Sequence, residues 1–473
     1  MIGPAQCMFR RATSGLSAAG CNLTFKSMSA LSLAGVALLL TMLSACSESA
    51  PDQAEIEKLF KEAEAASNEI AGNNPAAKVS ALIAIATTRA NSEDIEAART
   101  SFNQAKTLAR NFEGNNFEGD NAAYWRGFTL GRVGAAEARV GFDDASGATV
   151  SEALTQLKKI ADTKTRAIAM INVARELAAS TAAEAALSFL AEAVEAAQDM
   201  PDREETSWLF RNAADVYKAL GAQEIGRNAL SLAEAGAWLE EDATSQPIEL
   251  MRLAEAKARL GDREGALAIM QALRENYYPP IQAALVEAQV ADGKIAAAET
   301  AASEIAHPPS RTTAYMAIAE HYLRQAAPEQ AKEAALKGLA AVRGGSEETR
   351  VIRYYALADI LLRARDLEGA KQTLTEAMHL NQEQGSFWNF NEFSEVNVAL
   401  AKAGELDAAE KIAGLINDPE QRNSELAKLK VVRARNEARQ GRFKLAHDLA
   451  HGIRYPYQRA RALLAVIDGL REE

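Results

Sequence analysis

The stretch IAHPPSR, residues 305–311, has a pattern that occurs four times along the chain. The other copies are IADTKTR at 160–166, INDPEQR at 416–422 and IRYPYQR at 453–459. Each copy places an isoleucine and an arginine six positions apart, and the residues between them include helix breakers, mainly Pro and Asp. We therefore interpret the stretch as a joint, where one helix ends at the isoleucine and the next begins at the arginine.

A second pattern repeats between these joints. A small residue, usually Gly, is followed five positions later by Ala, as in Gly261 and Ala266. Successive copies begin at positions 261, 293, 326, 365, 404 and 441; the copy at 365, which begins with Arg, and further copies at 180 and 221 fit more loosely. From position 261 onward the period is 32 to 39 residues, which predicts a helical solenoid rather than a series of separate domains.

Apolar residues follow helical spacing in both halves of each unit. In the second half, Ala266, Met270 and Leu273 lie at i, i+4 and i+7, and in the first half Tyr315 and Ile318 follow the arginine in the same way. These stripes predict one pair of amphipathic helices per unit. Because a single pair leaves its apolar face uncovered, we expect neighbouring pairs to stack on each other.

The arginine that opens the first helix of a unit needs a compensating partner. A positive charge in a first turn is unfavourable because it opposes the helix dipole. We expect the guanidinium to bind main-chain carbonyls or a carboxylate at the end of the neighbouring helix. Contact with a ligand is the alternative. A residue that recurs in several repeats, however, more often has a structural role in the repeat than a role in one ligand-binding site.

The G-x4-A spacing and the helix pairs resemble tetratricopeptide (TPR) repeats over most of residues 75–473. The resemblance implies a right-handed superhelix whose first helices line a concave binding surface, and it implies no catalysis. We therefore predict an all-α fold, a superhelical α-solenoid of about ten helix-turn-helix, TPR-like repeats over residues 54–473. Helices at 54–70 and 457–470 are expected to form polar caps at its two ends.

The N-terminal segment has the composition of an export signal. Residues 1–45 contain no Asp or Glu, and their charges are Arg10, Arg11 and Lys26. The uncharged run SMSALSLAGVALLLTMLSAC follows at 27–46 and ends in small residues before a polar tether. Since about 20 apolar residues span a bilayer, an uncleaved helical anchor is the alternative. Met8 is an alternative start that keeps all three cations.

The end of this run, Leu43-Ser44-Ala45-Cys46, resembles the lipobox of bacterial lipoproteins. The resemblance implies that Cys46 is acylated, that the signal of residues 1–45 is removed, and that 46–53 become a lipidated tether. Ser47 differs from the Asp that retains enterobacterial lipoproteins at the inner membrane. The resemblance therefore favours an outer-membrane lipoprotein that faces the periplasm.

Charge and cysteine content limit the partners and the chemistry. The net charge is −12, and loss of the three cations in residues 1–45 would lower it to −15, which argues against a nucleic-acid partner. Cys7 and Cys21 lie in the predicted signal, and Cys46 would carry lipid. The remaining chain therefore has no thiol for a disulfide or a zinc knuckle, and packing alone must hold the fold.

No catalytic motif is visible in the sequence. It lacks the G-x-S-x-G, Walker, G-x-G-x-x-G and C-x-x-C patterns, so we predict no enzyme activity and no cofactor. His447 and His451 in HDLAH have the spacing of the H-E-x-x-H motif of zinc proteases, with Asp448 in place of Glu. Neighbouring apolar residues place both histidines on the solvent flank, and no third ligand is apparent. We interpret them as an ordinary surface pair and predict no metal.

Aromatic residues are scarce, at 6% of the chain, which makes GSFWNFNEF at 385–393 a local excess. Helical register places Phe393 in the core. Trp388 and Phe390 lie off that stripe near the start of a first helix, where they are candidates for partner contact. Core filling is the alternative for both residues. Tyr124 and Trp125 are weaker candidates of the same kind.

These observations predict a lipid-anchored, periplasm-facing scaffold or adaptor that binds a protein or peptide partner on its concave face. One alternative is a cell-wall enzyme, a hydrolase or transglycosylase in which one catalytic Glu would suffice. Another is a module that captures a glycan or a small ligand. A deep pocket with a buried Glu of raised pKa would favour the enzyme, whereas an open groove with exposed side chains would favour the scaffold.

Replacing Cys46 with alanine tests the lipoprotein interpretation. In a lipobox the thiol is the acylation site and cleavage occurs next to it, so if LSAC is a lipobox Cys46→Ala should lose both lipid attachment and signal cleavage. Metabolic labelling with a clickable fatty acid measures the first, and electrophoretic mobility measures the second. Label that persists on the variant would exclude Cys46 as the acylation site.

Overall fold

A computed structural model describes residues 51–72, 74–112, 119–198, 200, 202–239, 242, 244–343, 347–383 and 390–471. The described residues belong to one compact unit, residues 50–473. The predicted signal, Cys46 and Trp388 lie outside the described residues. No helix among the described residues is both long and apolar enough to cross a membrane.

The described residues form twenty-two α-helices and one short 3-10 helix, Glu275–Tyr277, and they contain no β-strand. In chain order the α-helices are α1 Gln53–Asn68, α2 Pro75–Asn91, α3 Ile95–Arg110, α4 Gly119–Arg139, α5 Asp143–Leu157, α6 Thr163–Ala178, α7 Ala183–Gln198, α8 Arg203–Ala219, α9 Gln223–Trp238, α10 Ser245–Arg259, α11 Arg263–Ala272, α12 Tyr278–Ala291, α13 Ile295–Glu304, α14 Pro308–Arg324, α15 Pro328–Val342, α16 Glu347–Arg363, α17 Leu367–Glu383, α18 Phe390–Lys402, α19 Leu406–Ala413, α20 Pro419–Arg439, α21 Phe443–His451 and α22 Pro456–Leu470.

The helices pair as the repeat predicts. From α2 to α21, each even-numbered helix packs on the odd-numbered helix that follows it, which gives ten hairpins in succession. Each even-numbered helix also contacts the next even-numbered helix. The all-α solenoid of about ten repeats is therefore confirmed, with apolar faces covered by neighbouring hairpins.

The G-x4-A pattern marks the turn within each hairpin. Gly261 and Gly293 have left-handed backbone conformations, with φ of 78° and 74°, in which glycine meets no Cβ clash. The N–H of Gly261 donates to the Ala258 carbonyl, and so closes the last turn of α10. The alanine that follows lies where the two helices of a hairpin approach, and it is buried in every copy from position 261 onward: Ala266, Ala298, Ala331, Ala370, Ala409 and Ala446.

The recurring arginine binds the helix that precedes it, as expected. In three of the four joints, its Nη1 atom donates a hydrogen bond to the main-chain carbonyl of the isoleucine six positions earlier. Each of these isoleucines is buried. The arginine thus satisfies a carbonyl that the end of the helix leaves without a helical partner. These bonds join Arg166 to Ile160 (2.8 Å), Arg311 to Ile305 (3.4 Å) and Arg422 to Ile416 (3.1 Å).

The arginine of the fourth joint has a different partner. Arg459 donates to the carboxylate of Glu69, the residue that caps the C-terminal end of α1. This contact also fits the expectation of a carboxylate at a neighbouring helix end. It connects the last joint of the chain with the first helix of the unit.

The first and last helices of the unit pack against each other. α22 contacts α20 and α21, and it also contacts α1 and α2. Beside α22, α1 occupies the place that the second helix has in the other hairpins, so the two ends of the unit form an eleventh pair. The series of hairpins therefore closes on itself.

The expectation of polar caps was wrong, because both helices bury apolar side chains in one shared cluster: Leu59, Phe60, Ala63, Leu463, Val466 and Ile467.

A buried arginine fixes α1 in this position. The Arg89 side chain on α2 is only 4% exposed, and it pairs with Glu57 and Glu64 of α1 and with Asp94, at 3.0, 2.9 and 2.7 Å. Its guanidinium carbon lies 4.2 Å from the centre of the Phe60 ring. Burial lowers the pKa of Arg89, but the ion pairs outweigh it and raise the pKa. The cation therefore stays charged and links α1 to α2.

The even-numbered helices form a continuous inner layer. Contacts run from α2 through every even-numbered helix to α22, and α22 returns to α2. Contacts between successive odd-numbered helices are sparse by comparison, as expected for the layer on the outer side of a curve. Side chains on the free face of the inner layer are thus brought together from every hairpin.

Removal of the Phe60 ring should weaken the closure. Phe60 is 2% exposed between α1, Arg89 and the shared cluster, so Phe60→Ala should lower the free energy of unfolding by about 3–5 kcal/mol. Urea denaturation followed by circular dichroism measures the change. Lys61→Ala, at the exposed neighbouring position, is the control and should change it by less than about 0.5 kcal/mol. Equal stability of the two variants would show that α1 does not close the series.

Candidate functional site in the inner layer

A recess of about 510 Å³ lies in the inner layer at the junction of the two ends. It is built by α2, α18, α20 and α22, and Val432 and Leu464 form buried apolar parts of its wall. Pockets for small ligands or side chains usually measure about 300–1,000 Å³, so this recess has a suitable size. We name it the seam recess and define it by its main polar side chains: Asn91, Lys402, Arg435, Arg439, Arg461 and Asp468.

Basic side chains dominate the seam recess, although the whole chain is acidic. Lys402, Arg435, Arg439 and Arg461 line it, and Asp468 is its acidic side chain. The chain as a whole has a net charge of −12. Positive charges in a concave surface focus the local potential, because the low-dielectric walls limit screening. The recess therefore favours an anionic group over a cationic or neutral one.

Helical register and one close contact place these side chains. Arg461, Ala465 and Asp468 lie at i, i+4 and i+7 on α22, so they share the face of that helix that borders the recess. Gly469 lies against α20, where an added Cβ would be 2.6 Å from the Arg435 carbonyl oxygen. Only glycine allows α22 to approach α20 this closely, so Gly469 helps to set the width of the recess.

The aromatic residues singled out in 385–393 do not line the seam recess. Phe393 is fully buried, as its register predicted, and Phe390 begins α18 half-buried against the same core. The Phe390 ring lies 6.3 Å from Phe393, and the ammonium of Lys428 on α20 lies 4.9 Å from its centre. Phe390 thus packs between α18 and α20. Contact of Trp388 and Phe390 with a partner remains a prediction.

The weaker aromatic candidates belong to a cluster on α4. Tyr124 stacks on Phe128 at 6.0 Å, and Trp125 meets both rings edge-on at 5.6 and 6.2 Å. All three side chains are half-buried. The Tyr124 hydroxyl accepts a weak hydrogen bond from Asn172 on α6, at 3.4 Å. This cluster stabilises the contact between two inner helices and leaves part of its aromatic surface exposed.

An exposed tryptophan escaped the sequence analysis. Trp208 on α8 is 41% exposed and borders a second recess of about 410 Å³ between α6, α8 and α10. Lys164, Glu205 and Arg252 are among the charged side chains that line this recess. Exposed tryptophan next to charged groups is typical of binding surfaces. Phe210 is the only other aromatic residue within eight positions of Trp208, so no local aromatic excess marked it.

Two glutamates of the inner layer have raised pKa values. Glu255 on α10 and Glu287 on α12 both pair with Arg259, at 3.1 and 3.3 Å. Burial raises the pKa of each carboxyl, and the charge of Arg259 opposes this without cancelling it. Carboxyls of raised pKa are typical of catalytic acids, but ion-pair networks within a fold also shift pKa values. This pair supplies the buried Glu of raised pKa that the enzyme alternative requires, but neither glutamate lines the seam recess or the second recess beside Trp208.

The histidine pair of α21 faces α1. The Glu62 carboxylate lies 2.9 Å from Nε2 of His447 and 3.1 Å from Nε2 of His451. The expectation that no third ligand lies near was therefore wrong, because it considered only neighbours in the sequence. Glu62 is 385 positions before His447, and only the closure of the helix series brings them together.

Comparisons with known proteins give no family. No protein-family model matches the chain, and no curated protein matches it. One similar solved structure is that of Ton1535 from Thermococcus onnurineus NA1, with 16% identity over 71% of this chain and 97% of that chain, at a TM-score of 0.31. Another is a circular tandem repeat protein with novel repeat topology and enhanced subunit contact surfaces, with 14% identity over 83% and 95%, at a TM-score of 0.20. At these TM-scores neither likeness supports an argument, so the fold rests on the contacts described above.

Proposed function

We propose that the protein is a lipid-anchored scaffold of the bacterial cell envelope that binds a protein or peptide partner through an acidic segment. The observation that carries the proposal is the seam recess, in which four basic side chains meet in a chain of net charge −12. An acidic side chain or a C-terminal carboxylate fits such a recess by size and by charge.

The repeat architecture supports binding of an extended partner. A solenoid presents side chains from many hairpins on one face, and such surfaces commonly bind proteins or peptides. The second recess, with the exposed Trp208, lies on the same inner layer and offers an aromatic anchor. An acidic segment in the seam recess and an apolar side chain beside Trp208 would give the partner two points of attachment.

The envelope location of this scaffold rests on the sequence LSAC, residues 43–46. Lipid on Cys46 would hold the tether at residues 46–53 on the outer membrane, with residues 54–473 in the periplasm. Nucleic acid is not part of the proposal, because the net charge of the processed chain would be −15 and four local cations are few for a polyanion. No cofactor and no catalytic step are proposed.

Charge reversal in the seam recess should weaken binding of an acidic probe. Lys402→Glu with Arg461→Glu should weaken binding of fluorescein-labelled hexaglutamate by at least about tenfold, or about 1.4 kcal/mol, because both cations line the recess. Fluorescence anisotropy on the full chain in detergent measures the dissociation constant. Raising the ionic strength should weaken binding to the unaltered protein.

A matched control separates the recess from general electrostatics. Lys61→Glu with Lys411→Glu makes the same change of net charge at exposed positions on the odd-numbered helices α1 and α19. This double variant should retain binding within about twofold. Equal loss in both double variants would contradict the recess as the binding site. Crosslinked capture from the native envelope with the same variants then identifies the partner as a protein lost only from the recess variant.

Glu255 and Glu287 support a second candidate function, a wall-degrading enzyme. Their raised pKa values suit a general acid, and both lie in the inner layer. Under the scaffold proposal, the purified protein should release no soluble fragments from peptidoglycan. Release that Glu255→Gln or Glu287→Gln removes, with an unchanged thermal melt, would overturn the scaffold proposal in favour of the enzyme.

A further inference from the structure

Glu62, His447 and His451 bring three metal-binding side chains to one point on the outer layer. The histidines lie one turn apart on α21, and their rings are 4.6 Å apart. Both Nε2 atoms approach the same carboxylate oxygen, Oε2 of Glu62 on α1, at 2.9 and 3.1 Å. One potential ligand atom from each residue lies within 4.8 Å of the others, and no other group of this kind occurs among the described residues.

This geometry is close to that of a zinc site. Zinc binds imidazole nitrogen at about 2.0–2.1 Å and carboxylate oxygen at about 2.0–2.2 Å in a tetrahedron, which places ligand atoms roughly 3.4 Å apart. The two nitrogen–oxygen separations are a few tenths of an ångström shorter. Small side-chain rotations would therefore admit the ion, and about half of the His451 side chain is exposed and able to adjust.

We propose that Glu62, His447 and His451 form a zinc-binding site that joins α1 to α21 on the outer side of the seam. Two imidazoles and one carboxylate are a donor set that zinc favours. The fourth position faces solvent, since all three side chains are at least one-fifth exposed, and water would occupy it. Without the ion, the Glu62 carboxylate contacts both histidines directly.

The surroundings of the three side chains are compatible with this role. The Phe443 ring lies beside the His447 ring, with 6.1 Å between the ring centres. Lys58 approaches the other oxygen, Oε1, at 3.8 Å, and its 69% exposure lets solvent screen its repulsion of a cation.

Zinc bound here would stabilise the closed arrangement of the helices. The ligands come from α1 and α21, which are separated by 385 positions in the sequence and meet only in the closed fold. A ligand that binds the folded state alone raises its stability. The ion would therefore hold the N-terminal helix, next to the proposed lipid tether, against the C-terminal hairpins.

Zinc titration of single-residue variants tests the site. After treatment with a chelator, the full chain in detergent should bind one zinc ion, measured by isothermal titration calorimetry with zinc chloride. His447→Ala and His451→Ala should each weaken this binding at least about tenfold, because each removes one of three ligands. Glu62→Gln keeps a hydrogen-bonding side chain but loses the charge, and should weaken binding similarly. His379→Ala, at an exposed histidine of α17, is the control and should bind as the unaltered protein does.

Two further measurements separate this site from adventitious binding and from damage to the fold. Zinc should raise the melting temperature of the unaltered protein and of His379→Ala, but not of His451→Ala, whose circular dichroism should be unchanged. Cobalt should give the visible absorption of a tetrahedral site only where both histidines are present. The proposal is overturned if the unaltered protein binds no zinc, or if the double variant of His447 and His451 still binds one ion with the same affinity.

Discussion

The packing of α1 against α22 is the contact on which the rest of the structure depends. A hairpin of two amphipathic helices cannot cover its own apolar face, so an open solenoid must end in polar caps. Here the two ends cover each other: Phe60 enters a cluster with Leu463 and Ile467, and the buried Arg89 side chain holds α1 through ion pairs. The seam recess and the histidine cluster both exist because of this one junction.

Closure changes how stability is distributed along the repeats. In an open solenoid each hairpin contacts only its neighbours, so stability is roughly a sum of local terms. Contacts between α22 and α1 add a constraint that no internal hairpin carries, since an inserted or deleted repeat would separate or overlap the ends. The number of hairpins must therefore match the curvature that each joint sets. Because the two ends must meet, the geometry of one joint is not independent of the geometry of the others.

The sequence predicted the contacts that recur from repeat to repeat. It did not predict the contacts that occur only once, between the two ends. The I-x5-R joint specifies a bond between Arg311 and the carbonyl of Ile305, only six residues away, and the structure contains it. Left-handed glycines such as Gly261 follow from an equally local pattern. The pairing of Arg459 with Glu69 spans 390 positions and leaves no periodic trace, so the sequence predicts the terminal helices as separate caps.

The same distinction explains the candidate sites. Spacing on one helix identified His447 and His451, but their third partner could be found only from the fold. Lys402 and Arg461 resemble ordinary surface charges in the sequence, and they converge because α18 and α22 border one recess. Both sites use residues outside the repeat pattern, on opposite layers of one junction. α22 lines the recess and packs on α1, so a change that loosens α1 would alter the zinc ligands and the recess together.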